Sequence, residues 1–297
     1  MNRNHRPSIL VFLVVALAPM FWAGNIVLGR GMATQIPPIS LAFWRWTVAF
    51  LILLPLTWPY ARRDWKTALA GWKILGLLSL LGITCFNTLL YRAVHTTTAI
   101  NGSLIQTTMP AMVIIISLIL YKERITRVQA AGVAVCVLGA AVVVLKGQWQ
   151  SLTHITLVRG DLIMFVAVII YALYSSLLPK RPNLHPMSFL TYTFGIGAAG
   201  LLPFYLWEIT ALGTFQLTPS VVGSIGYVAV FPSIAAYFCW NRGVAMIGAN
   251  RTSLFITLIP VFAAALAIAF LGETLHAFHV AGMALILLGF IMFNRKP

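Results

Sequence analysis

The sequence predicts an all-α integral membrane protein of ten transmembrane helices, built as two inverted five-helix repeats around a central cavity. The first observation is composition: 60% of the residues are hydrophobic and only 8% are charged, whereas about a quarter are charged in a soluble domain. The second is a series of apolar segments of about 20 residues, the length that crosses a hydrocarbon core. The third is an internal repeat of about 150 residues.

Each apolar segment is expected to form a helix, because a helix satisfies its backbone hydrogen bonds internally and lipid offers no other partner. Turn-forming residues such as Pro37, Pro38 and Pro219 mark several of the connections. The predicted spans, to within a few residues, are 8–28, 39–59, 72–92, 97–121, 127–145, 160–178, 188–207, 219–240, 250–271 and 276–294.

The net charge is +15, from 20 Lys and Arg residues against 5 acids. In a soluble protein this excess would indicate a nucleic-acid partner, but here the basic residues lie almost entirely in the short connections between apolar segments. With the N-terminus inside, about fifteen of them lie at inner ends and four at outer ends. We therefore predict a multi-pass protein of the cytoplasmic (inner) membrane with both termini cytoplasmic, membrane lipid as a partner and no nucleic acid.

The two halves of the chain repeat each other. A shift of about 150 residues superposes Arg92 on Arg242 and Pro110 on Pro260, and the register then holds without a gap. The predicted units are residues 1–147 and 148–297, with five spans each. Because five is odd, the second unit enters the membrane from the opposite side, so the repeats are inverted. Further matched pairs are Ser103 with Ser253, Thr107 with Thr257, Glu123 with Glu273, Gly132 with Gly282 and Gly139 with Gly289.

These features resemble the ten-helix EamA-type proteins of the drug/metabolite transporter superfamily. The resemblance covers essentially the whole chain and is carried by the Pro110 and Pro260 helices, each followed by an acid, Glu123 or Glu273, and by a glycine-spaced final helix. Within that group the chain looks most like the YddG-type exporters, which implies export of aromatic and other neutral amino acids. Related members carry sugars, nucleotide precursors and cations, so the alternative is an exporter or permease for another small metabolite or drug.

A solute path between inverted repeats lies near the membrane midplane, so polar and aromatic residues inside the spans are the candidates for its lining. Asn87 and Tyr91 share a helix face, and their counterparts in the second half are Tyr237 and Asn241. Both asparagines favour a cavity, because an amide in lipid needs a partner. A lining rich in aromatics and free of acids suits a neutral, partly apolar solute. The other candidates are Trp22, Asn25, Trp44, Arg45, Ser103, Gln106, Thr107, Tyr171, Tyr174, Tyr192, Trp240 and Thr257.

Several candidates also have a structural interpretation. The small polar residues and the helix-kinking prolines, Pro110 and Pro260, would equally let helices pack closely and bend. Trp44 and Tyr192 lie near the starts of their helices and also fit an interfacial aromatic belt. Arg45 either captures a solute carboxylate or extends to the outer end of its helix, where its charge would reach water.

The remaining motifs argue against other functions. Glu123 and Glu273 each lie just before a helix, where a carboxylate interacts with the N-terminal dipole, so we expect a structural role. His276 and His279 lack companions at ligand spacing, so no metal site and no cofactor is predicted. The chain has no HExxH, GxSxG or Walker motif, which disfavours a membrane-embedded enzyme with catalytic residues. We expect alternating access rather than a channel, and the oligomeric state stays open, with a monomer compatible.

Overall fold

The computed structural model describes residues 9–122, 126–145, 158–247 and 254–294, and within these ranges the regular structure is helical, with no strand. Six helical stretches are long and apolar enough to cross a membrane, and three shorter apolar helices accompany them. The chain is therefore a multi-pass membrane protein. The long stretches are Leu13–Gly31, Pro38–Ala70, Trp72–Val94, Arg159–Lys180, Pro186–Leu212 and Pro219–Trp240, and the shorter ones are Ala130–Val143, Ile259–Leu271 and Ala277–Gly289.

The described helices coincide with most of the predicted spans to within a few residues, but span 97–121 is divided between two helices, and α2 and α9 run past their predicted ends. α2 continues to Ala70, well beyond the predicted end at residue 59, because the residues that follow its apolar stretch are themselves good helix formers. The helices of the first half are α1 (Ile9–Gly31), α2 (Pro38–Ala70), α3 (Trp72–Ser79), α4 (Phe86–Val94), α5 (Ala99–Gln106), α6 (Met109–Tyr121) and α7 (Arg127–Val144). Those of the second half are α8 (Arg159–Leu177), α9 (Pro186–Leu212), α10 (Pro219–Ala229), α11 (Ala236–Ile247), α12 (Ile259–Leu271) and α13 (Ala277–Asn294).

Two π-helical segments interrupt long helices at positions that the repeat relates. Leu80–Cys85 joins α3 to α4, and Val230–Ala235 joins α10 to α11 at the same register in the second half. A π turn leaves carbonyl groups without their usual helical partners. Pro232, which has no N–H, explains the second segment, and Gly82 occupies the matching position in the first. Such backbone is tolerated inside a membrane only where protein covers it.

Helix breaks also precede the two repeat-related prolines. α6 begins at Met109 with Pro110 in its first turn, and α12 begins at Ile259 with Pro260 in its first turn. Proline suits the first turn because its missing N–H would have no helical partner there. Each proline thus starts a new helical segment, which follows α5 in the first half and the 3₁₀ turn Leu254–Leu258 in the second.

The second helices of the two halves, α2 and α9, pack against each other in opposite directions. The hydroxyl groups of Thr57 and Thr191 lie 2.6 Å apart, and the Tyr192 hydroxyl donates to the carbonyl of Ala61 at 2.7 Å. The end of α2 therefore lies beside the start of α9. This is the direction of packing that inverted repeats require.

An acid near the end of each of these two helices caps the start of the other. Glu208 on α9 accepts hydrogen bonds from the backbone N–H groups of Ile39 and Ser40 at 3.1 and 2.6 Å. Asp64 on α2 accepts from the N–H of His185, directly before α9, at 2.7 Å. A carboxylate at a helix start satisfies amides that lack helical partners and interacts favourably with the dipole. The reciprocal caps fix the alignment of the pair.

Glu273 caps a helix in the same way. Its carboxylate accepts from the N–H groups of Ala99 and Ile100, the first residues of α5, at 2.8 and 3.1 Å. The expected contact with a helix N-terminus is present, but the helix belongs to the other half of the chain rather than being the one that follows Glu273. Its repeat partner, Glu123, lies outside the described residues.

The last helices of the two halves, α7 and α13, cross with their backbones in close contact. A Cβ atom at Gly289 would lie 2.4 Å from the carbonyl oxygen of Gly132, and one at Gly139 would lie 2.8 Å from that of Gly282. Only glycine allows so close an approach. Because the earlier glycine of each helix meets the later glycine of the other, the two helices run antiparallel.

The first helix of each half packs against the third segment of the other half. Trp22 on α1 contacts Tyr237 on α11, with ring centroids 6.3 Å apart, and Tyr171 on α8 contacts Phe86 on α4 at 4.6 Å. The halves are thus interlocked, and the main hydrophobic core runs through both. Interlocking also brings side chains of one half over the π segment of the other.

Replacing Gly289 by Ala should destabilise the protein by about 1–3 kcal/mol, because the new methyl group meets backbone atoms that cannot move away. Gly76→Ala is the matched control, since Gly76 is also helical but faces open space. There the methyl group should stabilise the helix by about 0.5–1 kcal/mol. Thermal unfolding in detergent measures both changes, and shifts of the same sign would contradict the close crossing of α7 and α13.

Candidate functional site

A buried arginine lies at the centre of the interlocked halves. Arg45 on α2 is only 3% exposed. Its Nη1 donates to Oδ1 of Asn25 and of Asn87 at 3.2 and 2.9 Å and to the Tyr91 hydroxyl at 3.2 Å, and its Nε donates to Oγ of Ser233 at 2.8 Å. These five residues, called the Arg45 site below, join α1, α2, α4 and the second π segment.

The first-half acceptors of the Arg45 site are held in place by their own hydrogen bonds. The Tyr91 hydroxyl donates to Oδ1 of Asn25 at 2.6 Å. Nδ2 of Asn87 donates to the carbonyl groups of Gly82 and Ile83 at 3.2 and 2.9 Å. These carbonyls belong to the first π segment, so the irregular turn orients the Asn87 amide with its oxygen towards the guanidinium.

The second π segment plays the corresponding part from the other half. The Ser233 hydroxyl donates to the carbonyl of Val228 at 2.8 Å, which leaves its oxygen free to accept from Arg45. The carbonyl of Pro232 accepts from Nε1 of Trp22 at 3.1 Å and from Nη2 of Arg45 at 3.4 Å. The second π segment therefore directs its own oxygen atoms at the cation, whereas the first acts through Asn87.

The guanidinium of Arg45 has only neutral oxygen partners, and none of the described residues brings a carboxylate within hydrogen-bonding distance. Burying an unpaired charge is costly, and here the oriented oxygens and the Trp46 ring, 4.7 Å away, offset part of that cost. Nη2 has two N–H groups but makes one long contact with the residues that the structure describes. The site thus keeps a positive charge with donor capacity to spare, and Arg45 does not extend to the outer end of its helix.

Aromatic rings surround the Arg45 site on its second-half side. Trp22 contacts Trp240 with centroids 5.2 Å apart and meets Tyr237 edge to face. Trp46 lies edge to face with Phe194 at 4.7 Å and with Tyr237 at 6.2 Å. The indole N–H of Trp46 is buried and has no acceptor within the described part of the chain. Offset and edge-to-face contacts of this kind also suit an additional ring.

Two more predicted aromatics extend this wall. Tyr171 on α8 lies 4.6 Å from Phe86 and 5.1 Å from Tyr174, centroid to centroid. Tyr174 is buried and packs against Gly82 of the first π segment. The structure therefore brings together the following predicted residues around one centre: Trp22, Asn25, Arg45, Asn87, Tyr91, Tyr171, Tyr174, Tyr237 and Trp240.

Three predicted residues on α5 and at its end are buried and have their described contacts away from the Arg45 site. Ser103 donates to the carbonyl of Ile100 at 2.8 Å, and Thr107 donates to that of Leu104 at 2.6 Å. Nε2 of Gln106 lies 3.8 Å from Sδ of Met164. None of the three has a described hydrogen bond to the Arg45 site.

Trp44 and Tyr192 lie between α2 and α9 rather than at the Arg45 site. Trp44 packs edge to face against Tyr205 at 6.1 Å. Tyr192 lines an apolar groove on the outside of the helix pair, together with Trp58 and Trp65, which are about half exposed. Both residues thus lie away from the Arg45 site, and Nε1 of Trp44 is buried with no acceptor among the described residues.

The side chains of Pro110, Asn241 and Thr257 lie outside the described part of the structure. Two residues of the site were missed in the sequence: Ser233, an acceptor of Arg45, and Trp46, whose ring lies under the guanidinium. The signal for Ser233 was the neighbouring Pro232, a proline inside an apolar span. Such a proline leaves backbone carbonyl groups without helical partners, and other parts of the protein must contact them.

One of the comparisons with known proteins names a family. A sequence model described as the EamA-like transporter family matches residues 9–145 and 158–295, one match in each half. YyaM of Bacillus subtilis (strain 168), named an uncharacterized transporter, is 28% identical over 284 residues, which are 94% of this chain and 92% of that protein. A solved crystal structure without a functional description matches with a TM-score of 0.64 over 97% of both chains at 17% identity, which shows a shared fold.

Two relatives have names that specify a solute. A probable terminal-alkyne amino-acid exporter of Streptantibioticus cattleyicolor is 24% identical over 290 residues, 97% of this chain and 92% of that protein. A probable amino-acid metabolite efflux pump of Salmonella typhimurium is 25% identical over 296 residues, 96% of this chain and 94% of that protein.

Ser233→Ala should destabilise the protein by about 1–3 kcal/mol, because Nε of Arg45 would lose its acceptor in a buried position. Ser175→Ala is the matched control, since that hydroxyl bonds only to the carbonyl of Tyr171 in its own helix. The control should change stability by less than about 0.5 kcal/mol. Melting temperatures in detergent report both effects, and equal shifts would show that Ser233 does not stabilise the buried charge.

Proposed function

The chain belongs to the EamA-like transporter family, and from this premise we propose that it exports small neutral organic solutes, chiefly aromatic and other neutral amino acids, across the cytoplasmic membrane. The chain is a membrane transporter, and its curated relatives are named as transporters, exporters and efflux pumps. The Arg45 site is the proposed binding centre. Ser103, Gln106, Thr107 and Thr257 are assigned in this proposal to the walls of the same path.

The buried charge of Arg45, matched only by neutral oxygens among the described residues, carries the proposal. An anionic group that displaced one of these oxygens would add the attraction between opposite charges to the hydrogen bond, and a buried site of low dielectric strengthens that attraction. The α-carboxylate of an amino acid supplies such a group on a molecule that is neutral overall. The one N–H group of Nη2 that has no acceptor among the described residues is available for it without dismantling the site.

The aromatic wall accounts for the rest of the solute. Trp22, Trp46, Tyr237 and Trp240 offer ring faces and edges next to the guanidinium. A solute ring placed among them gains about 0.5–1.5 kcal/mol per contact beyond the burial of its area. Amino acids with aromatic side chains therefore fit this aromatic wall better than amino acids with small polar side chains.

The interlocked packing supports alternating access. In this proposal the ten predicted spans form two inverted five-helix repeats, residues 1–147 and 148–297, with both termini cytoplasmic. The antiparallel pairs α2 with α9 and α7 with α13 give such a molecule a pseudo-two-fold axis in the membrane plane. Rocking about these pairs would expose the Arg45 site first to the cytoplasm and then to the outside.

Arg45→Gln should lower the exchange of labelled phenylalanine in proteoliposomes by about 10- to 100-fold, because a hydrogen bond to a charged group contributes about 1.5–3 kcal/mol. Phenethylamine, which lacks the carboxylate, should compete poorly with labelled phenylalanine for exchange by the wild type. It should compete equally poorly for exchange by the variant. Arg63→Gln is the control, since Arg63 is exposed at the end of α2. If phenethylamine competed as strongly as unlabelled phenylalanine, Arg45 would not bind the solute carboxylate. A metabolite or drug without a carboxylate would then become the favoured solute.

Trp240→Ala should reduce the preference for phenylalanine over alanine by about threefold to tenfold, because a ring contact next to the site is lost. Trp72→Ala, which removes a tryptophan that is 61% exposed on the helix surface, should leave the preference unchanged. The ratio of exchange rates for the two labelled amino acids is the measurement. An unchanged ratio in folded Trp240→Ala would place the aromatic subsite elsewhere.

A further inference from the structure

An apolar groove runs along the outside of the α2–α9 pair, towards the end of α2 and the start of α9. Its volume is about 520 Å³, and Arg62 is the one charged residue among those described that line it. This depression is called the α2–α9 groove below. In the proposed orientation its Arg62 end faces the cytoplasm.

One face of α2 forms the long wall of the α2–α9 groove. Phe50, Leu54, Trp58, Arg62 and Trp65 follow one another at intervals of three or four residues, so they lie along the same side of the helix. From Phe50 to Trp65 an α-helix rises about 22 Å. One leaflet of a bilayer with its headgroups is about 20–22 Å thick. The groove therefore has the length of a single phospholipid molecule.

Small or fixed side chains form the floor of the groove. Ala61 on α2 and Thr191 on α9 are 4% and 3% exposed, and Gly195 lies so close to the Phe50 ring that a Cβ atom would come within 2.9 Å of it. The Thr191 and Tyr192 hydroxyl groups are both engaged in hydrogen bonds to α2. The floor thus offers an acyl chain an apolar surface without a polar group that would need another partner.

Aromatic rings and positive charges lie at the Arg62 end of the groove. Trp58 and Trp65 are 55% and 53% exposed, and tryptophan is enriched at the level of lipid headgroups. Arg62 lies between them along α2, and Lys66 follows one turn later; both are exposed. An apolar groove that ends in two cations matches a molecule with an acyl chain at one end and an anionic headgroup at the other.

The described acids leave these two cations available. Asp64 lies at this end of the pair, but its carboxylate accepts from the backbone N–H of His185 and caps α9. Glu208 caps the start of α2, at the opposite end of the pair. Within the described part of the chain, no carboxylate has a hydrogen bond to Arg62 or Lys66. Their charge is therefore free to attract a phosphate group.

Charge also argues against a second copy of the chain as the occupant of the groove. A two-fold interface brings the same surface of both copies together. Arg62 and Lys66 of one copy would then face the same cations of the other, in a chain whose net charge is +15. Such like-charge contacts are unfavourable, whereas an anionic phospholipid has the opposite charge and reaches the groove from the surrounding bilayer.

We propose that the α2–α9 groove binds one phospholipid with an anionic headgroup, whose acyl chain lies along the groove and whose phosphate contacts Arg62 and Lys66. Because α2 and α9 come from different halves of the chain, the bound lipid contacts both halves and stabilises their pairing. The site is separate from the Arg45 site in ligand and in place. It needs no solute, so it goes beyond the transport function proposed above.

The test compares dioleoyl phosphatidylglycerol with dioleoyl phosphatidylcholine, which have the same acyl chains and differ in headgroup charge. Each is added at the same concentrations to the full chain purified in a non-ionic detergent, and native mass spectrometry measures the bound lipid. The wild type should bind the anionic lipid about threefold to tenfold more tightly, the contribution of roughly one basic residue near a lipid phosphate. It should also melt at a higher temperature with that lipid. Arg62→Gln should lose the preference.

Lys73→Gln is the matched control, because it removes the same charge from an exposed residue at this end of the molecule that does not line the groove. Its preference for the anionic lipid should equal that of the wild type. Trp65→Ala should weaken the binding of both lipids, whereas Trp72→Ala, which removes an exposed ring outside the groove, should leave both unchanged. Equal binding of the two lipids by the wild type, or a preference that persists in Arg62→Gln, overturns the proposal.

The same spectra distinguish a lipid from a second copy of the chain. A dimer that dissociates in Trp65→Ala would show that another copy occupies the groove, and it would overturn the lipid assignment. Because no solute is present, a failure here leaves the transport proposal untouched, and a failure of the transport experiments leaves the lipid site untouched.

Discussion

The guanidinium of Arg45 imposes the strongest constraint on this structure. A charge in the low-dielectric interior must be surrounded by oriented dipoles, or the protein would not bury it. Here the dipoles come from Asn25, Asn87, Tyr91 and Ser233, which belong to both halves of the chain. The two halves must therefore interlock for the charge to be satisfied. This requirement links the packing of the fold to the position of the proposed binding centre.

The π segments are the backbone solution to the same constraint. In an ordinary α-helix each interior carbonyl group accepts a hydrogen bond from an N–H of the same helix, so it is not available to a neighbouring side chain. The wider turns at Leu80–Cys85 and Val230–Ala235 free carbonyls that orient Asn87 and that contact Trp22 and Arg45 directly. Because the two segments occupy matched positions, the repeat places an irregular turn on each side of the cation.

The four acids among the described residues serve the joints between the halves. Asp64, Glu208 and Glu273 each cap the start of a helix from the opposite half, and the buried Asp161 accepts a hydrogen bond from Asn101 of the other half. Carboxylates are costly near lipid, and at a helix start the unpaired amides compensate for that cost. Such joints are strong enough to align helices, yet each depends on only one to three described hydrogen bonds. A molecule that opens alternately at its two ends needs joints of this strength.

The sequence by itself determined the helical membrane class, the repeat, the family and most of the aromatic and amide residues around Arg45. It could do so because the length of an apolar segment and the register of a repeat are read directly along the chain. Only the tertiary structure decided the partners. Three features depend on residues that are far apart in sequence. They are the inward direction of Arg45, the helix that Glu273 caps and the burial of Asp161 with His279. No spacing rule encodes those contacts, since they arise when the two halves interlock and every buried polar group must find a partner.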